Sequence, residues 1–197
     1  MRTVPVSCAS LVLAAAILAG CSSPRASFYH LSADPSLTAT SARTPAPQVI
    51  VGPVTVPDLV DRPQIITRST NNEVAVNEYA RWGEPLRSSI ADAIAGDLTL
   101  LLGSDRVAPA SRAFPDPQAW RVRVDIQQFE SVPGDAIAID AHWSLRRFGD
   151  DSALSGRSLV REPVTGPDWD ALVAAHSRAL ARVSRDIATA IQHDTSP

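Results

Sequence analysis

Thiols, imidazoles and carboxylates are the groups in this chain that could do covalent, metal or acid–base chemistry, and one of them stands in a telling context. Cys21 follows Leu18-Ala19-Gly20, at the end of a stretch that reads as a secretory signal. Arg2 gives the positive start and Leu11–Leu18 a short apolar run. That run cannot span a bilayer, which needs roughly 20 residues. Small Ala19 and Gly20 suit a cleaving peptidase, with the cut between Gly20 and Cys21. Cys8 leaves with the signal, so Cys21 is the last thiol in the mature chain. The other candidates do not assemble. His30, His142, His176 and His193 lie far apart and match no ligand spacing such as H-E-x-x-H. His176, among Leu172, Leu180 and Val183, has the setting of a hydrogen-bonded core histidine, and no G-x-S-x-G elbow presents Ser177 beside it. Asp150-Asp151 and the Asp58/Asp61 pair lack the alternation of a calcium loop and read as turn residues. All 18 basic residues are arginine. Without lysine there is no P-loop and no Schiff-base nucleophile. The sequence reads as non-enzymatic, with no cofactor and no metal.

Leu18-Ala19-Gly20-Cys21 resembles the lipobox of bacterial lipoproteins. The resemblance implies a diacylglyceryl group on the Cys21 thiol, then cleavage, then a further acyl chain on the exposed amine. One chain holds a protein only marginally, but each buried methylene adds about 0.8 kcal/mol, so three chains make detachment negligible. In many Gram-negative bacteria an Asp after the lipidated Cys retains the protein in the inner membrane. Ser22 stands there instead, which implies the outer membrane, periplasmic face.

Cleavage leaves 177 residues, enough for one domain with a proper core. The mature chain has 17 arginines against 21 acidic residues, a net charge of −4. That balance supports neither nucleic-acid binding nor a broad cationic membrane patch. The organisation expected is a signal at 1–20, a lipidated tether at 21–27 and one domain at 28–193. Ser32 to Pro47 is rich in Ser, Thr, Ala and Pro and reads as a mobile surface loop.

The β-branched run from Val49 to Val56 predicts a strand covered on both faces, with an edge or bulge at Pro53. Between Pro57 and Pro63 lies a turn. Gln64–Arg68 and Glu73–Asn77 then read as a hairpin, with Asn71-Asn72 tolerating the positive φ of its turn. Pro85 and Glu84 start a helix whose stripe is Leu86, Ile90, Ile94, Leu98 and Leu101, and Gly103 ends it. In the next strand Trp120, Val122, Val124 and Ile126 point inward, while Arg121, Arg123, Asp125 and Gln127 point outward. After the turn at Gly134, Ile137, Ile139, Ala141, Trp143 and Leu145 take the core side. Asp140, His142, Ser144 and Arg146 take the wet side. Period two on both strands predicts helices on one sheet face and solvent, or a partner, on the other. A strand near Ser158–Glu162 leads to a last helix capped by Asp168 and buried along Leu172, Val173, His176, Leu180, Val183, Ile187 and Ile191. The fold class is therefore α/β: a single domain with a mixed, mostly antiparallel sheet packed on two long amphipathic helices.

Three blocks carry a family resemblance. Val51-Gly52-Pro53-Val54 through Leu59 and Asp61-Arg62-Pro63-Gln64-Ile65-Ile66-Thr67-Arg68 looks like the signature of the PqiC-type ABC-transport auxiliary lipoproteins. Glu78-Tyr79-Ala80-Arg81-Trp82-Gly83-Glu84-Pro85-Leu86 is similar to that family's next block. Ala174-Ala175-His176-Ser177-Arg178-Ala179-Leu180, continuing from Arg182 to Ala188, is similar to its C-terminal helix. The resemblance implies an auxiliary subunit of a lipid-transport system that moves phospholipid or other hydrophobic molecules between membranes. Its partners would be a periplasmic MCE-domain protein and the inner-membrane permease and ATPase behind it; a homo-oligomer is also compatible. An alternating sheet with one apolar face is suited to docking rather than to enclosing lipid. The candidate partner surface is Arg121, Arg123 and Asp125, with Asp61, Arg62, Arg81 and Trp82 as a second patch. Solvation alone would explain the first equally well, and for Trp82 a structural role fits better. The alternative functions are a structural lipoprotein of a secretion or cell-wall complex, or an envelope hydrolase.

Overall fold

The computed structural model describes residues 24–38, 46–114, 116–147 and 153–194, so the signal segment, Cys21 and Asp150-Asp151 lie outside the described residues. Along the chain come β1 (Ser27–Tyr29), β2 (Val49–Thr55), β3 (Gln64–Arg68), β4 (Val74–Trp82), α1 (Leu86–Leu102), β5 (Val107–Pro109), β6 (Trp120–Val132), β7 (Ala136–Arg146), β8 (Leu154–Pro163) and α2 (Trp169–Asp194).

Periodicity explains the larger sheet, whose order is β5-β2-β6-β7-β8. Along β6 the buried residues are Trp120, Val122, Val124 and Ile126, alternating with outward Arg121, Arg123, Asp125 and Gln127. A bulge between Ile126 and Gln128 then adds one residue and reverses the phase, so that Phe129 and Ser131 turn inward. β2 lies between β5 and β6, parallel to both, and Val49, Ile50 and Val51 are all buried. Its register shifts between Val51 and Val54, where Pro53 has no N–H to give the ladder. β6–β7 and β7–β8 are antiparallel.

The remaining strands form a second sheet, of order β1-β4-β3, where the sequence reading expected one sheet. The turn between Pro57 and Pro63, closed by Val60 N–H to Pro57 O (3.0 Å), leads the chain out of the larger sheet. The two sheets meet through side chains, notably an ion pair from Arg68 on β3 to Glu130 on β6. The hairpin β3–β4 forms as expected. However, its turn is wider than two residues, with Ser69 and Thr70 N–H both reaching Glu73 O. No non-glycine residue there takes a positive φ, because the wider turn does not demand one.

Both helices cover one face of the larger sheet, α1 over β2 and β5, α2 over β7 and β8. Gly103 closes α1 in the left-handed conformation (φ 57°), with its N–H on Leu100 O. Asp168 caps α2 through Oδ1, which accepts the Ala171 N–H at 2.7 Å. α2 has the expected single buried stripe. α1 is buried over a wider arc, including Ser89, Ala93, Ala95 and Asp97, because it is enclosed by the sheet, α2 and the segment after β1.

That segment departs from the mobile loop expected over 32–47, at least in its described part. Leu31, Asp34 and Leu37 are buried. The Leu31 N–H donates to Ser89 Oγ (3.0 Å), Ser32 N–H to Ser177 Oγ (3.3 Å) and Asp34 N–H to Asp97 Oδ1 (2.9 Å). The strand-less backbone thus crosses both helices with its donors satisfied by their side chains. A Cβ on Gly96 would stand 2.9 Å from Ala33 Cβ, which is why the crossing is so close.

At the far edge, Gly156 on β8 faces Trp143 on β7 across the ladder. A Cβ there would lie 2.2 Å from Trp143 Cζ2, and the ring is held by its Nε1–H on Ser158 Oγ (3.1 Å). Gly156→Ala is expected to destabilise the domain by about 1–3 kcal/mol through overpacking. A urea midpoint unchanged from wild type would show instead that the indole swings away freely.

Candidate functional site

The face of the larger sheet away from the helices is open, and its chemistry is set by the outward residues of β6, β7 and β8. Register places Arg121 opposite Arg146, Arg123 opposite Ser144, Asp125 opposite His142, and His142 opposite Arg157. The carboxylates on this face are already engaged. Asp140 accepts two bonds from Arg157, at 2.9 and 2.7 Å, and His142 Nε2 lies 3.7 Å away. The Arg157 guanidinium, aided by His142, holds the Asp140 carboxyl below its ordinary range. Asp125 accepts from Thr55 Oγ1 and from Gln127 Nε2 (2.8 Å).

Arg121 and Arg123 are different: both are exposed and neither makes an ion pair among the described residues. Arg121 also faces Arg146 directly across the strands, and like charges so placed destabilise a sheet by roughly 0.2–1 kcal/mol. Two exposed guanidiniums without an ion pair among the described residues thus share this face. Such an arrangement can bind a surface of opposite charge. This patch, Arg121, Arg123 and Asp125, is brought together as the sequence placed it.

The second patch does not survive as a surface. Its backbone is contiguous, since Trp82 N–H donates to Pro63 O at 2.7 Å, but its side chains part company. Asp61 accepts from Arg87 on α1 and ties the turn to that helix. Arg81 folds back on Glu78, and Arg62 is exposed. Trp82 is 4% exposed and packs edge-on against Phe129 and His176, with centroids 6.3 and 6.0 Å apart. An indole fills that core more favourably than it would face water.

His176 is fully buried. It stacks on Phe129 (4.3 Å between centroids, 8° between planes), and its Nε2 is 2.8 Å from Ser131 Oγ. Burial pulls its pKa down to about 3, so the ring is neutral. Among the described residues no group of three or more His, Cys, Asp or Glu is placed to hold a metal.

The sequence reading missed a buried polar group between the helices. Asp97 is inaccessible, accepts from Asp34 N–H and from Ser184 Oγ (2.9 Å), and has its pKa raised by burial to about 6. The signal was present: an aspartate in the apolar run Ala93-Ile94-Ala95-Gly96-Asp97-Leu98 has no ordinary place on a helix's dry face. Glu162 on β8 was missed likewise. It is nearly buried, with Arg178 and Arg182 of α2 at 2.8 and 3.0 Å.

The family model described as ABC-type transport auxiliary lipoprotein component matches residues 29–188. No curated protein sequence matches the chain. Among solved structures, the crystal structure of an uncharacterized protein superposes with a TM-score of 0.69. That match covers 85% of this chain and 99% of the other at 17% identity. The crystal structure of a Xanthomonas campestris protein of the DUF330 family gives a TM-score of 0.58. It covers 87% of this chain and 98% of its own at 21% identity. At such identities the likeness shows a shared fold.

Proposed function

This chain belongs to the ABC-type transport auxiliary lipoprotein family, and from that premise we propose that it is the outer-membrane docking subunit of an intermembrane lipid-transport system. In this reading Cys21 carries the lipid, and the domain stands on the periplasmic face. The open sheet face receives the tip of a periplasmic MCE-domain protein whose other end meets the inner-membrane permease and ATPase. The domain itself carries out no reaction. Its contribution is placement: a lipid anchor confines it to the membrane, so a partner tip that reaches the surface meets a high local concentration of docking sites.

One observation carries the proposal most directly. Arg121 and Arg123 are exposed, with no ion pair among the described residues, on a sheet face that neither helix covers.

A photo-crosslinking residue at position 121 or 123 in cells is expected to capture the MCE-domain protein, and one at Arg185, on the outer side of α2, is expected not to. The double change Arg121→Glu with Arg123→Glu should weaken capture by roughly tenfold or more, as for close charge pairs at interfaces. Adducts confined to position 185, or to unrelated envelope proteins, would overturn the assignment.

A further inference from the structure

The larger sheet ends on a long strand whose outer side is open. β8 runs ten residues, Leu154–Pro163, and is the outermost strand, beside β7. Its pairing with β7 keeps one register from Ala136 opposite Pro163 to Leu145 opposite Leu154, with no bulge. Just past that ladder the Val164 N–H donates to Asp135 O (2.9 Å). Hydrogen-bonded positions alternate along an antiparallel pair. The even-numbered residues of β8 therefore bond β7, while Ser155, Arg157, Leu159 and Arg161 aim their N–H and C=O groups away from it. Pro163 fits this parity: it has no N–H to offer, and its outward carbonyl accepts from Arg178 Nη2 (3.0 Å). The outward backbone groups of the other four have no strand beside them among the described residues. We propose that this edge is a docking site for an extended, acidic segment of a partner protein, which adds to the sheet as a further strand.

Three features select that occupant. First, a row of unpaired backbone donors and acceptors is completed by another extended backbone, and this row is long, regular and barely guarded. Arg157 and Arg161 are tied to Asp140 and Asp135, on the β7 side, and Pro163 blocks only the last position. The other outer strands are β5 and β1, of three residues each, and β3, where Ile65, Ile66 and Thr67 are buried. Second, the groups that an incoming strand meets are cationic. On the helix side Arg178 and Arg182 share the single carboxylate of Glu162. The Asp140 and Glu162 side chains are 13% and 8% exposed, whereas those of Arg157 and Arg182, their partners, are each 54% exposed. Arg161 engages Asp135 through Nη2 alone. Third, a second copy of β8 fits poorly. In an antiparallel self-pairing centred on or next to Leu159, Arg157 stands opposite or diagonal to Arg161 of the other copy, and like charges so placed destabilise a sheet.

Spacing along β8 specifies the segment further. Arg157 and Arg161 lie on the same face, about 13 Å apart along the strand, and Leu159 stands midway between them, 67% exposed. A matching strand carries two carboxylates four residues apart, with an apolar residue halfway between. That pattern is the same in both chain directions, so parallel and antiparallel docking satisfy it equally. Neither lipid on Cys21 nor a contact at Arg121 and Arg123 enters this inference.

The test uses the full mature protein, a capped peptide Thr-Glu-Thr-Val-Thr-Glu-Thr, and the same peptide with lysine for both glutamates. With the glutamate peptide in excess, amide hydrogen exchange at Arg157, Leu159 and Arg161 is expected to slow by about fivefold or more. The lysine peptide should leave it unchanged. Leu159→Pro removes an outward N–H without touching the β7 ladder, so it should abolish that protection while the Ile139 and Val160 amides stay protected. Leu159→Ala keeps the N–H and should retain most of it. If the proline variant does not fold, Arg157→Gln with Arg161→Gln leaves the backbone intact and should weaken peptide binding by about tenfold or more. Equal binding of the two peptides, or unchanged exchange at the three amides, would overturn the proposal. Protection that grows with protein concentration in the absence of peptide would overturn it too, by giving the edge to a second copy.

Discussion

Asp97→Asn should turn a nearly flat dependence of stability on pH between about 4 and 6 into a steep rise. Two buried groups oppose each other in that window. Asp97 has a folded pKa of about 6 against an ordinary 3.8, chiefly because burial penalises its charge. Between those values the folded protein holds a proton that the unfolded chain has released, so stability falls as pH rises. His176 is the reverse. Its folded pKa is about 3 against 6.5, so the unfolded chain binds a proton that the folded protein refuses, and stability rises with pH. Each slope is about 1.4 kcal/mol per pH unit, and in wild type they cancel.

Asparagine removes one slope and keeps the geometry. Its carbonyl still accepts the Asp34 N–H, its amide donates to Ser184 Oγ, and that hydroxyl donates to Leu180 O, already 3.0 Å away. Across the window the variant should gain roughly 3 kcal/mol on His176 alone. Above pH 6 it should also exceed wild type, which must there hold a buried carboxylate whose principal supports are two hydrogen bonds. Urea midpoints at pH 4, 5, 6 and 7 decide the matter. Parallel profiles for wild type and variant would refute the opposition. His176→Asn should invert the slope even though the smaller side chain lowers stability overall.

Cys21→Ala is expected to have the largest effect in the cell. On the lipidation proposed for Cys21, removing the thiol leaves no acceptor for a diacylglyceryl group and no lipoprotein processing, so the chain should persist as a precursor. Membrane-held mature protein should drop by roughly a hundredfold or more, since no acyl chain remains to anchor it. The domain is untouched, because its core begins at Leu31, and its thermal transition should match wild type. Fractionation and gel mobility read the first outcome, and calorimetry the second. Restoration of full envelope function by a secreted, unlipidated domain would contradict the tethered adaptor.

The parts of this fold that were legible are those in which one residue's neighbours along the chain reveal its environment. Trp120 to Gln127 alternate because β6 has helices on one side and water on the other, and period two displays that without knowledge of any partner strand. Gly103 and Asp168 were readable as helix ends because capping is a local transaction between a terminus and its own next turn. The wet-face patch of Arg121, Arg123 and Asp125 followed from the same alternation.

What escaped depends on residues far apart in sequence. Asp61 finds Arg87 rather than Arg62 or Arg81 because the turn before β3 folds onto α1. Trp82 leaves the surface because β4 passes beside Phe129 and His176, 47 and 94 residues later. The stretch after β1 is fixed rather than loose because Ser89, Asp97 and Ser177, from two different helices, meet its backbone donors.

By itself, then, the amino-acid order determined the strands and helices with their inward faces, and a family membership carried by three ordered blocks. Only the tertiary structure decided that the strands divide into two sheets, that an aspartate and a histidine are buried with opposing protonation, and that Trp82 leaves the surface for the core. The reason is physical. Periodicity and capping are governed by interactions within a few residues, whereas pairing, burial and polarity of the whole are decided by contacts that form only when distant segments arrive together.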